Sequence, residues 1–61
     1  MEIKEMRKLL GLSQAAFGKK YNIPVRTIEQ WESGRRKSPI YVLELLERAV
    51  VDDFKDEKRG D

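Results

Sequence analysis

The chain predicts an all-α fold, a compact bundle of four to five helices. Three observations carry that expectation. Apolar residues recur at spacings of three and four, as in Ile3, Met6 and Leu10, the period of one helix face. Residue types that start and stop helices punctuate the chain at Gly11, Ser13, Pro24, Gly34 and Ser38-Pro39,. Beyond Pro39 the apolar residues cover so much of a helical circumference that one face cannot hold them,.

The first helix is expected over Glu2–Leu10, with Leu9 beside the inward residues and Gly11 as the stop,. Ser13 can cap a second helix over about Gln14–Tyr21, its hydroxyl accepting an unpaired amide,. The inward face there is Ala15, Phe17, Gly18 and Tyr21, with Leu12 packing ahead of the cap. Gly18 in a helix interior costs on the order of 1 kcal/mol relative to Ala, which suggests that the third helix crosses too close for a side chain. Asn22 tolerates the left-handed conformation a sharp turn needs. Pro24 opens the third helix at or beside its first position, and the helix runs to Ser33 with Gly34 after it,. Ile28 and Trp31 turn inward, while Val25, Arg26, Glu29, Gln30 and Ser33 share the opposite face,. Ser38-Pro39 opens a fourth helix ending at Val51 or Phe54. Residues 1–54 then form the domain and 55–61 a charged, frayed tail,.

Composition narrows the function classes. Sixty-one residues allow one domain with one small core; such a chain buries only about 60% of its unfolded surface, so stability is modest or shared with a second subunit. There is no cysteine and no histidine, which removes disulfides, thiolate metal sites and the usual general base. With no paired carboxylates either, an enzyme has no supporting constellation, and no cofactor, metal or small-molecule substrate is expected. No apolar run approaches the ~20 residues of a membrane span and no signal peptide is visible at Met1–Leu12, so a cytoplasmic protein is expected. The net charge is only +2, but residues 1–38 hold nine Lys and Arg against four Asp and Glu, whereas residues 39–61 hold four against seven. A basic half facing a polyanion and an acidic half turned away would explain this; ordinary solvated charge is the plainer alternative.

Two short helices joined by a tight turn, the second with long polar side chains outward, suit the major groove of duplex DNA, which is about 12 Å wide. Arg26 is the strongest base-reading candidate, because a guanidinium fork can donate twice to guanine at ~1–3 kcal/mol of discrimination. Gln30, one turn later, could pair with adenine, and Val25 could pack on a thymine methyl. Arg26 paired with Glu29 or Gln30 in solvent, and Gln30 as an ordinary exposed glutamine, are the plainer readings. Glu29 repels phosphate and so fits a helix-stabilising or selectivity role. Arg35, Arg36 and Lys37 fit phosphate contacts, or else a solvated basic loop. Trp31 could stack on a base, but its register with Ile28 makes it core.

From Arg7 to Pro39 the chain resembles the Cro/repressor-type helix-turn-helix proteins of lambdoid phages and the related xenobiotic-response-element-type bacterial regulators. The resemblance rests on Arg7, Gly11-Leu12-Ser13-Gln14, Phe17, the turn after Tyr21, Thr27-Ile28-Glu29-Gln30-Trp31-Glu32, Gly34 and Pro39. It implies a lambda-repressor-like fold. It also implies that Gln14 braces the phosphate backbone and touches the outermost base, and that Val25, Arg26 and Gln30 read the groove. By the same resemblance Thr27 contacts a phosphate or base, Ser13, Ser33 and Lys37 hold phosphates, and Arg7 and Glu32 form a partly buried structural ion pair. Three features depart from the family pattern: Asn22 stands where many relatives have glycine, Val25 and Arg26 replace a common glutamine or serine, and no fifth helix is obvious. The start of the third helix, Ile23-Pro24-Val25-Arg26-Thr27, and its Trp31-Glu32-x-Gly34 end also resemble small antitoxins of this fold.

The expected function is therefore sequence-specific binding of double-stranded DNA by a homodimeric repressor or regulator. The alternative is an antitoxin-like module that binds a small protein partner (a toxin) through the fourth helix. In either case Leu43, Leu46, Val50 and Phe54 are expected to form the dimer or partner surface, unless the chain folds back over them at Val51–Phe54.

Overall fold

The computed structural model describes residues 1–59. These form four helices, α1 Ile3–Leu10, α2 Gln14–Tyr21, α3 Val25–Ser33 and α4 Ile40–Arg59. The fold is all-α, as expected. None of the helices among the described residues is long and apolar enough to cross a membrane.

Local chemistry explains each boundary. Glu2 and Glu5 form a reciprocal capping box at the start of α1, the Glu2 amide donating to Glu5 Oε1 at 2.8 Å,. Gly11 ends the helix in the left-handed region, φ 69°, and the Leu12 amide reaches back to the Arg7 carbonyl at 3.1 Å,. Ser13 caps α2 as expected, its Oγ accepting from the Ala16 amide at 3.1 Å,. Asn22 takes the left-handed turn with φ 59° and Gly34 closes α3 with φ 84°. Both prolines sit one step earlier than the first helical position: Pro24 and Pro39 lend only their carbonyls, which accept from Thr27 and Ile28 and from Val42 and Leu43.

α1 packs against both α3 and α4, and α2 against α3. The buried core is Ile3, Met6, Leu10, Phe17, Ile28 and Val50, ringed by Leu12, Tyr21, Ile23, Trp31, Leu43, Leu46 and Phe54. Four expectations need correction. Ala15 is exposed rather than inward, since Phe17, Gly18 and Tyr21 already fill the face of α2 that meets α3. Gly18 is closed off chiefly by the turn itself: an added Cβ would stand 2.5 Å from the Ile23 carbonyl oxygen and 3.1 Å from Ile28 Cδ1 of α3. α4 does not stop at Phe54 but continues to Arg59, because no glycine or proline interrupts the chain between Pro39 and Gly60; the end of the expected tail, Gly60-Asp61, lies outside the described residues.

The largest correction concerns the expected dimer or partner surface. Val50 is fully buried, and Leu43, Leu46 and Phe54 pack against the core. α4 lies along α1 with this stripe turned inward, so it completes the core instead of offering a surface. The apolar residues left outside are Ile40, Tyr41 and Leu45, at 75%, 67% and 61% exposure.

Candidate nucleic-acid interface

α3 divides its side chains between core and solvent. Ile28 is fully buried and Trp31 packs on the core beside it, leaving Val25, Arg26, Glu29 and Ser33 exposed and Gln30 and Thr27 half-buried. Trp31, partly buried against the core, stands apart from the outer face that carries Arg26 and Gln30. Arg26, Glu29, Gln30, Ser33 and Arg35 line one open depression along the outer side of the helix. Its donors are the forked guanidinium groups and the amide, chemistry that matches base edges and phosphate oxygens.

The basic loop does not act as one cluster. Arg35 joins the α3 face, whereas Arg36 and Lys37 border a second depression with Glu2, Trp31, Gly34, Ser38 and Leu43. The turn after Gly34 causes the split: the Arg36 amide folds back to the Gln30 carbonyl at 3.2 Å, so successive side chains leave the helix end in different directions.

The hydroxyls also differ. Ser13 accepts from the Ala16 amide and keeps its own proton for an outside acceptor,. Ser33 instead donates that proton to the Gln30 carbonyl at 3.3 Å, so a phosphate contact there requires the hydroxyl to rotate.

Behind this face lies the ion pair. Arg7 Nε donates to Glu32 Oε2 at 2.8 Å and Nη2 to Oε1 at 2.9 Å, and Nη1 holds the Leu12 carbonyl at 3.2 Å. The side chains are only 16% and 7% exposed. The Arg7 guanidinium, assisted by the Gln14 amide, holds the Glu32 carboxyl below its ordinary value, while Glu32 raises Arg7,. Gln14 is the surprise: its Nε2 donates to Glu32 Oε1 at 3.1 Å, so the residue expected to reach DNA is tethered to the pair. A carboxylate with lone pairs to spare after one arginine was the available signal in the sequence. Nothing local signalled the hydrogen bond from Tyr21 Oη to Asp53 Oδ2, 2.6 Å long across 32 residues.

The family model described as helix-turn-helix matches residues 3–50, all of α1 to α3 and half of α4. The chain belongs to the helix-turn-helix family. Neither the curated proteins nor the solved structures give a match. Within the family the match is of the Cro/repressor type, whose members bind DNA and are generally non-enzymatic. This helix-turn-helix protein is accordingly a DNA-binding regulator whose partner is double-stranded DNA.

Proposed function

We propose that the protein is a sequence-specific, homodimeric transcriptional repressor that lays α3 in the major groove. The observation that carries the reading is the division of α3, with Ile28 and Trp31 packed inward and Arg26, Glu29, Gln30, Ser33 and Arg35 gathered along one outer depression. Arg26, Gln30 and Val25 read bases, with Gln14 at the edge of the site. Ser13, Thr27, Ser33, Arg35, Arg36 and Lys37 hold the phosphates on either side. The separation of Arg35 from Arg36 and Lys37 fits a duplex whose backbone passes the end of α3 on two sides. The repressor acts by occupying its operator, in the compartment that holds the DNA.

The dimer is supported by the apolar face of Ile40, Tyr41 and Leu45, which a solitary domain leaves in water. Exposed Glu44 and Arg48 lie on the same side of α4,. A second copy packed antiparallel sets Glu44 against the partner subunit's Arg48, and the reverse. Two recognition helices then reach half-sites about 34 Å apart on a pseudo-palindrome.

Selection of bound sites from random duplex DNA at two salt concentrations tests the reading. A defined pseudo-palindrome is expected to emerge. On that site Arg26→Ala lowers affinity at least tenfold and relaxes the preference at one base pair, with the helical circular dichroism unchanged. Lys37→Ala weakens all sequences alike and lowers the salt slope by about 1. Unaltered affinity of the Arg26 variant sinks the assignment of α3 as reader.

A further inference from the structure

Glu32 does more than pair with Arg7. Its Oε1 accepts from both Arg7 Nη2 and Gln14 Nε2, and this oxygen joins the last turn of α3 to the first residue of α2. Arg7, anchored in turn on the Leu12 carbonyl, fixes the carboxylate from the α1 side. Because the Glu32 side chain is only 7% exposed, water competes little for these hydrogen bonds,. An ionised carboxylate can only accept, so Glu32 also decides which way round the Gln14 amide stands, nitrogen toward the pair. The start of α2 is capped by Ser13 and not by Gln14. A free glutamine loses much rotamer freedom when it is immobilised on a ligand, and a tether made beforehand removes that cost from the binding step.

We propose that Glu32 is a positioning residue for the DNA contact and acts through Gln14. Held by Arg7, it orients the Gln14 amide before DNA arrives, so that the amide hydrogen and carbonyl oxygen left over meet the duplex edge in one geometry. The inference rests on the DNA-binding reading above.

A double-mutant cycle on the selected duplex tests it. Gln14→Met keeps the length of the side chain and removes its hydrogen bonding; Glu32→Gln removes the charge that holds it. Each single change is expected to weaken binding by about tenfold, measured at a temperature where circular dichroism shows every variant folded. The combined variant is expected to be no weaker than the weaker single one, since both remove the same contact. Additive losses, or an unchanged Glu32→Gln affinity, overturn the proposal. Should Glu32→Gln fail to fold, NMR of the free wild-type chain decides. Its two glutamines are Gln14 and Gln30, and the Gln14 side-chain amide is expected to be rigid and slow to exchange, that of Gln30 mobile. A Gln14 amide as mobile as that of Gln30 overturns the proposal. Failure of the DNA reading itself looks different: no duplex is enriched and the wild type binds none, whatever the NMR shows.

Discussion

At Gly18 a single missing methyl group lets α2 meet the turn. A Cβ there would lie 2.5 Å from the Ile23 carbonyl oxygen, and backbone cannot swing aside as a side chain can. Gly18→Ala is therefore expected to destabilise the protein by roughly 1–3 kcal/mol, against a gain of about 1 kcal/mol in helix propensity. A thermal melt reads the net effect, and a higher Tm would show that the turn yields. Arg7 and Glu32 act at the same scale. Deleting Arg7 as Arg7→Ala leaves Glu32 charged and largely buried, which is expected to cost about 2–3 kcal/mol, less than for a pair wholly out of water. Since the folded protein holds Glu32 below its ordinary 4.5, the pair contributes in full above that pH. The contribution fades as pH falls below 4.5 toward the folded value. Urea melts of the wild type between pH 6 and pH 3 are expected to show this loss, and Arg7→Ala a flatter profile.

Between elements, the bond from Tyr21 to Asp53 ties the end of α2 to α4. The Phe17 ring packs against the Tyr21 ring at a 55° tilt with centroids 4.9 Å apart, and Lys20 stands 3.9 Å from the same Asp53 carboxylate. Burial, and then the hydrogen bond to Asp53, raise the Tyr21 phenol well above its ordinary 10.0,. The neutral phenol is the folded form, so its contribution is complete below pH 10 and is lost as pH rises beyond it. In a phenolate absorbance titration Tyr21 is expected to ionise only well above pH 10, as the protein unfolds. Tyr21→Phe is expected to cost about 1 kcal/mol at neutral pH and to flatten the alkaline decline; ionisation of Tyr21 near pH 10 while the protein is still folded contradicts this account. Helix boundaries were largely legible at this scale, because Gly11, Ser13, Asn22 and Gly34 act within a turn of where they stand. The end of α4 was not. Its charged residues suggested fraying, whereas Asp53 and Phe54 contact the body and carry the helix onward.

For the whole molecule the decisive quantity is the rotation of α4 against α1. It buries Val50 and seats Leu43, Leu46 and Phe54 on the core, leaving Ile40, Tyr41 and Leu45 exposed as the face proposed for a second copy. Leu45→Asp removes apolar surface from the outer face and nothing from the core. It is expected to leave the thermal melt of the monomer nearly unchanged and to abolish dimerisation in sedimentation equilibrium. Affinity for the full palindrome then falls much more than affinity for a half-site. A wild-type chain that stays monomeric at every concentration overturns the dimer and turns attention to a different protein on the same face.

Sequence alone determined the helices, the left-handed turn at Asn22, the capping by Ser13 and the division of α3 between Ile28 and Arg26, since periodicity and capping are local and need no knowledge of distant residues. The Arg7–Glu32 pair was legible through family resemblance. Only the tertiary structure decided which side of α4 is core, how Arg35 parts from Arg36 and Lys37, and that Gln14 is tied to Glu32. The apolar stripe of α4 is wider than one face, so its own pattern permits several rotations. Packing against Ile3, Met6 and Leu10 selects one. Likewise a glutamine's neighbours 18 residues away are set by how α2 and α3 meet, which depends on the whole fold and not on any local pattern.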